Sequence, residues 1–528
     1  MAYDFSQCFD ALSVDIVTND LYNNGVQSDL LNLIYECDAE SKISIKTPHG
    51  MTTRRDVKKC VAQGECFSPL KCTVCVDQMA QDHVMNLPEH LYMYKKSVPI
   101  PPLGFVDDQV DVADCGMEAA LANCHLNTQS NMKKLAFGPS KCQKLHIGKK
   151  EILCHDKAID TWILCRDVDE DIKTLFEMAD TEGDRHIIEK VLSLTYLGDI
   201  CQADGRHDLN IKQRKTRGLI AVNQIMQMLE ELTLGKYYFQ AGLIFRNSLL
   251  LSTVLSNSES WYNLTESDIR ELEKVDESFI RRMVAGHSKT ALELLYLEFG
   301  LVPIRFLLMA RRIMFLNYIL NEKQETLVRD FYEAQSSKPV RGDWTLTVKK
   351  DMEDLDIKED IENTSADHLK MILKTAINKK ALEYLLEKRE GHSKSRCLQY
   401  NSLEMQSYLK ADSDTTIHEK CFFFRARTQT LDVKYNFKNG NGNLACSKCE
   451  KENETQKHLL TCESLSSNCM VSSLPEYEDL FGCDPDRIRN IGLILKQKFT
   501  LLKSKPSAHI VRAAAGSNQQ HAGDLPTV

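Results

Sequence analysis

Two sets of side chains in this 528-residue sequence have the types and spacing to do chemistry. The first is acidic and dispersed. It comprises Tyr3-Asp4-Phe5-Ser6-Gln7-Cys8-Phe9-Asp10 near the start and Phe105-Val106-Asp107-Asp108 about a hundred residues later. Between them lies Val61-Ala62-Gln63-Gly64-Glu65-Cys66-Phe67-Ser68-Pro69-Leu70. An Asp-Asp pair by itself usually marks a solvated turn. Here it sits between apolar strand halves, and two further segments precede it in order. The second set is Cys446-x2-Cys449-x8-His458-x3-Cys462. Two thiolates close a tight turn, and a helical His-x3-Cys adds two ligands one turn apart. Four soft protein ligands describe a closed, tetrahedral, structural Zn²⁺ site.

The elements that must hold these groups change along the chain. Over the first 150 residues strand and helix patterns alternate, as in an α/β or α+β unit. Residues 1–9 read as a strand running into a turn, and 19–37 as a helix. Residues 42–47 read as a strand with Ile43 and Ile45 on one face. Ser68 and Pro69 read as N-cap and first residue of a helix. Residues 103–110 read as a β-hairpin around Asp107-Asp108. From about Arg217 the chain is helical. Leu219, Val222, Ile225, Met226, Leu229 and Leu232 form one apolar stripe, a bundle-core pattern. Thr265 and Asp268 spell a capping box. Helices at 292–299 and 304–320 break near Gly300 and Pro303. A charged helical stretch follows over 345–409, and the Ser-, Ala- and Gln-rich residues 503–528 have a disordered composition.

Taken in order, the motifs resemble the palm of a non-LTR retrotransposon reverse transcriptase. Asp4 to Asp10 is similar to that family's first palm motif. Gln63-Gly64 with Ser68-Pro69 resembles its Gln-Gly…Ser-Pro motif, and Phe105 to Asp108 its aromatic-x-Asp-Asp motif. Ser140-Lys141-Cys142 within 135–147 is similar to the next palm element, and Tyr196-Leu197-Gly198 to the primer-grip turn. Asn257 to Tyr262 and Arg311-Arg312 fit the post-palm pattern. The resemblance spans roughly residues 1–470. It implies an α+β right-hand polymerase: an antiparallel palm sheet with helices, a helical thumb, then a helical and zinc-binding region. The implied units are a palm over 1–205 whose fingers precede the given chain, a thumb-like domain over 206–335 and a connector over 336–420. A zinc element over 421–470 and a partly disordered tail over 471–528 complete the series.

The implied activity is RNA-directed DNA polymerisation, with dNTPs added to a primer 3′-hydroxyl on an RNA template at a DNA target. Two Mg²⁺ (or Mn²⁺) ions would stabilise the attacking and leaving oxygens, held by hard carboxylate ligands. By resemblance Asp4 and Asp107 are these ligands and Asp108 a third carboxylate, brought together by adjacent antiparallel strands. The Phe5 carbonyl is a further ligand. Phe9 would lie beneath the incoming sugar, although a core role fits it equally. Gly64 would admit the nucleotide or template closely, with Gln63 hydrogen-bonding there. Lys141 would meet the triphosphate; its lysine-rich surroundings read equally as a solvated face. Asp10 reads as structural. Arg425, Arg427 and Lys434 would suit phosphate contact, and His418 and Cys421 read as core.

Composition bounds these expectations. Sixty-six basic and 75 acidic residues leave a net charge of −9, which excludes binding nucleic acid by bulk positive charge but not by local patches. Nineteen scattered cysteines without a secretory leader point to a reduced, intracellular protein of cytoplasm or nucleus. Arg305, Arg311 and Arg312 interrupt the most apolar stretch, so no membrane span is expected. The competing reading is a catalytically inactive retrotransposon-derived protein that binds nucleic acid through its helices and zinc element.

Overall fold

The computed structural model describes residues 1–6, 8–56, 66–114, 116–138, 140–147, 153–156, 161–164, 177–179, 185–322, 326–391, 397–411, 415–436, 443–465 and 476–504. The architecture is mixed α+β. Helix outweighs strand, 58% to 11%, so the sheet is a local platform inside a largely helical molecule.

That platform begins with β1 (Ala2–Ser6) and includes β2 (Leu103–Phe105), β3 (Asp108–Val110), β4 (Ala136–Phe137), β5 (Gln143–Leu145) and β6 (Glu189–Val191). The order is β6-β5-β1-β3-β2, with β4 also paired to β1. An antiparallel sheet was expected. The pairs to β1 and the β2–β3 hairpin are antiparallel, but β5 and β6 run parallel, so the sheet is mixed. The two-residue side-chain period of a strand decides which groups face solvent. Tyr3 and Phe5 point inward, each 2% exposed, and Phe5 stacks on Phe137 with ring centroids 4.6 Å apart. Asp4, between them, points the other way and is half-buried.

Helices cover the inward face. Cys8, Leu12, Val17, Leu21, Cys72, Cys75, Val76, Met79 and Leu126 pack with Tyr3, Phe5 and Phe137 into one core. The helical side of this core comes from the N-terminal helices and the link between them at Leu12, from the helix Ser68–Asn86 and from the helix Gly116–Met132. Instead of one helix over 19–37 there are two, α1 (Val14–Asn23) and α2 (Ser28–Ala39), because Gly25 takes φ +84° and ends the first. The helix expected from Ser68 is α3 (Ser68–Asn86), but its N-cap is Phe67; Ser68 is already helical and buried. Residues 42–56 form a β-ribbon in solvent, Lys42–Ile43 against Arg55–Asp56 and Lys46–Thr47 against Gly50–Met51.

The helical remainder is built on α4 (Asp208–Glu231), α5 (Glu266–Met283), α6 (Leu292–Phe299) and α7 (Ile304–Glu322). Val222, Ile225, Met226 and Leu229 of the expected stripe are buried, whereas Leu219 and Leu232 stand in solvent. The Thr265–Asp268 capping box opens α5: the Asp268 N–H donates to Thr265 Oγ1 at 3.2 Å and the Thr265 N–H to Asp268 Oδ2 at 2.9 Å. Gly300 ends α6 at φ +63°, and a Cβ there would lie 2.2 Å from the backbone of Glu404. Only glycine meets both conditions. After α8 (Ala366–Glu390) come α9 (Ile417–Arg427), α10 (Gln456–Thr461) and α11 (Pro485–Lys503). The last three share one core with α4–α6, through Phe422, Phe423, Leu459, Ile488, Ile491 and Leu495 among others. The stretch expected to be a partly disordered tail thus contributes a 19-residue packed helix. Residues 505–528 lie outside the described residues. No described helix is long and apolar enough to cross a membrane.

Candidate functional site

The β2–β3 hairpin sets the acidic groups. Phe105 pairs with Asp108, so the two-residue turn is Val106-Asp107 and Asp108 lies in the strand. Val106 takes φ +59°. A tight hairpin turn wants positive φ at its first central position, but a β-branched residue is strained there. Packing of the half-buried Val106 against the sheet core holds it in place. β3 pairs with β1 in the register Asp4↔Asp108, which puts two carboxylates side by side on the outward face. Phe105 is 60% exposed beside them.

The electrostatics follow from this crowding. Burial, then the charges of Asp107 and Asp4, push the Asp108 carboxyl above the usual range, while Lys141 opposes the shift. The Lys141 ammonium lies 3.0 Å from Asp4 Oδ1 and 3.3 Å from Oδ2. That hydrogen bond and the Asp4 charge push its pKa up. The lysine side chain is 68% exposed, so it reaches the carboxylates from solvent. A turn after β4 delivers it: the Gly138 N–H donates to the Asp4 carbonyl at 2.8 Å, and the Lys141 N–H to the Gly138 carbonyl at 2.8 Å. A Cβ on Gly138 would sit 3.4 Å from Asp4 Oδ1. Nothing in the spacing marked Gly138 beforehand.

The hairpin of β7 (Ser193–Tyr196) and β8 (Asp199–Gln202) turns through Leu197 at φ +47° and Gly198 at φ +84°, both left-handed as a tight hairpin prefers. Burial and then the Asp108 charge raise the Tyr196 phenol. Arg214 on α4 pins the turn by donating to the Gly198 carbonyl at 3.3 Å and to Asp199 Oδ1 at 2.5 Å.

The remaining expectations divide. The Phe5 ring is core. Phe9 is half-buried against the same core. Gln63 and Gly64 lie outside the described residues, as does the side chain of Asp10.

The Cys/His set converges. Ligand atoms of Cys446, Cys449, His458 and Cys462 all lie within 4.8 Å of one another. Cys446 Sγ is 4.0 Å from Cys462 Sγ, and Cys449 Sγ is 3.3 Å from His458 Nε2. A tetrahedron with metal–sulfur bonds of about 2.3 Å and a metal–nitrogen bond of about 2.0 Å has edges of roughly 3.5–3.8 Å. The four groups therefore fit, and could hold a metal ion such as zinc. Among the described residues no other group of three or more His, Cys, Asp or Glu converges so closely; Asp4, Asp107 and Asp108 do not.

The local chain explains the convergence. The Glu450 N–H donates to the Cys446 carbonyl at 2.9 Å and Glu450 takes φ +57°, closing the knuckle. Thr455 caps α10, which carries His458, and Cys462 follows its last residue. Backbone N–H groups of Lys451 and then Glu452 hold the Cys449 thiol down to about 6, which favours the thiolate a metal needs. Glu452 Oε2 lies 3.0 Å from His458 Nδ1, an orienting contact outside the ligand set that the spacing did not mark. Glu454 accepts from the Ser447 N–H at 3.1 Å and its hydroxyl at 2.5 Å.

Three neighbouring expectations are corrected. Arg427 is buried and grips Glu298 with its guanidinium, so it offers nothing to a phosphate backbone. Lys434 donates to the Ala445 carbonyl at 2.7 Å and braces the knuckle. Cys421 is core as expected, but His418 is exposed.

No protein-family model matches this chain, and no curated protein matches it.

Proposed function

We propose that the acidic face is a nucleotidyl-transfer site and that the chain is an RNA-directed DNA polymerase of the non-LTR retrotransposon kind. The observation that carries this reading is the Asp4↔Asp108 register with Asp107 at the hairpin apex beside it. All three are hard oxygen donors, and the Asp108 carboxyl is raised by burial and then by the charges of Asp107 and Asp4, which a divalent cation would offset. Asp4, Asp107 and Asp108 would hold Mg²⁺ or Mn²⁺. Bound there, the ions would stabilise the attacking 3′-oxygen and the leaving pyrophosphate oxygen of a dNTP. Lys141, exposed and already drawn to Asp4, would exchange that contact for a triphosphate oxygen. Gly138 keeps the space beside Asp4 clear. The Tyr196 hairpin, held by Arg214, would support the primer end, and helices α4–α7 would flank a DNA–RNA duplex as a thumb.

The test is primer extension with dNTPs on an RNA template in Mg²⁺, together with Mn²⁺ binding followed by water-proton relaxation. Asp107→Asn and Asp4→Asn should each cut extension at least about 10²-fold and weaken Mn²⁺ binding. A folded protein that neither extends a primer nor binds Mn²⁺ through these residues sinks the reading.

A second reading is favoured by one observation: the Cys/His donors converge within 4.8 Å, while the carboxylates do not. The chain would then be a non-catalytic, retrotransposon-derived nucleic-acid-binding protein with a structural zinc element. Its mark is salt-sensitive RNA or DNA binding that survives Asp107→Asn and is lost with Cys446→Ser.

A further inference from the structure

Two consecutive segments each expose several large apolar side chains. Helix α2 has no buried residue, and its Leu30, Leu33 and Tyr35 stand in solvent. The ribbon over 42–56 exposes Ile43, Ile45 and Met51. These six side chains are between 41% and 63% exposed. A two-stranded ribbon is marginal in water without a covering partner, and clustered exposed apolar groups mark interaction surfaces.

The two segments carry opposite charge. Helix α2 and the residue after it carry Asp29, Glu36 and Glu40, all exposed; Asp38 is already tied to Lys71 at 2.8 Å. The ribbon carries Lys46, Arg54 and Arg55, all exposed, and Lys42, which pairs with its own Asp56 at 3.5 Å. One segment is thus acidic and apolar, the other basic and apolar. Only residues 40 and 41 separate them, and neither covers the other within one chain.

We infer that this region is a self-complementary docking surface for a second copy of the chain, with the acidic face of α2 in one copy against the basic ribbon of the other. A two-fold axis satisfies both contacts at once, since the surface that donates in one copy accepts in its partner. Charge complementarity sets the orientation. The six apolar side chains supply area that a polyanion would not use, because nucleic-acid interfaces are the more polar and the more uniformly basic kind.

The test uses the full chain, nuclease-treated and washed in high salt, in sedimentation equilibrium from about 1 to 50 µM, the range of moderate self-affinity. A dimer is expected. Ile45→Glu with Met51→Glu should raise its dissociation constant at least about tenfold, leaving the circular dichroism spectrum unchanged because both side chains are exposed in the single chain. Two charge-reversed proteins keep the result specific. One carries Lys46→Glu, Arg54→Glu and Arg55→Glu; the other carries Asp29→Lys, Glu36→Lys and Glu40→Lys. Each should be monomeric alone, and mixing them should restore a heterodimer, since both contacts then regain opposite charge. A chain that stays monomeric throughout the range overturns the inference. So does a dimer indifferent to all three variants, or association that appears only when RNA is added.

Discussion

At the scale of single residues, the chemistry depends on what surrounds each group. Cys449 is held toward thiolate by the Lys451 and Glu452 backbone, and His458 is oriented by Glu452. About one zinc per chain is expected by elemental analysis, and Cys446→Ser should abolish it and lower the melting temperature by about 5 °C. Cobalt substitution should give the intense visible bands of a tetrahedral thiolate site. His83 supplies a different test. Burial at the end of α3, then the neighbouring charges of His125 and His90, lower its pKa from 6.5 to about 4. The His125 ring stands edge-on to it at 5.4 Å. A folded-state pKa below the unfolded one means that folding disfavours the protonated ring. Its contribution is full above about pH 6.5 and is lost as pH falls from there toward 4. His83→Gln should flatten urea-measured stability across that window by about 2 kcal/mol, a figure reduced for partial solvent access.

At the scale of elements, the β2–β3 hairpin is where local preference and tertiary demand conflict. Valine resists φ +59°, yet the turn needs it to put Asp107 at the apex and Asp108 opposite Asp4. Val106→Gly and Val106→Ala both remove the same packing, but only glycine also relieves the backbone. Denaturant titration should therefore find the glycine variant more stable than the alanine one by about 1 kcal/mol. Equal stabilities would show that the turn is unstrained. The strand was legible in the sequence within residues 1–9, while Asp4 was singled out there only by resemblance; the outward direction of its carboxylate came from the structure. The exact turn was not legible. Val106-Asp107 and Asp107-Asp108 could each form a two-residue turn, and only the pairing of Phe105 with Asp108 decides between them.

At the scale of the whole molecule, distant segments meet in a buried polar knot. Glu298 on α6 and Arg427 on α9 are both fully buried and paired. Tyr400 and Tyr408 each donate to Glu298 at 2.6 Å, and Arg427 donates to the Leu480 and Gly482 carbonyls at 2.6 and 2.9 Å. Burial, then the charge of Glu298, pushes both phenols far above their usual range. This knot ties α6, the segment carrying Tyr400 and Tyr408, α9 and the approach to α11 into one core. Arg427→Met leaves Glu298 without its counter-charge and should cost about 3–5 kcal/mol in denaturant titration. Adding Glu298→Gln should recover a substantial part, because the stranded charge goes with it. If the double variant is no more stable than the single one, the cost lies in packing.

The sequence by itself determined the features whose signal is local. Those are the spacing of Cys446, Cys449, His458 and Cys462, the capping box at Thr265, the α6–α7 break near Gly300, and helix over most of the described chain beyond about Arg217. Each is a matter of periodicity, end-capping or close spacing, and needs no distant partner to be recognised. Tertiary structure alone decided what depends on residues far apart. It turned Arg427 from a phosphate contact into the partner of Glu298, 129 positions away. It packed α11 into the central core, and it paired one strand of the sheet in parallel. It also set Lys141 against Asp4 across 137 positions. An arginine or lysine carries the same local signature on a solvated face and in a buried pair. Only the desolvation imposed by packing, and the carboxylate that packing delivers, distinguishes the two.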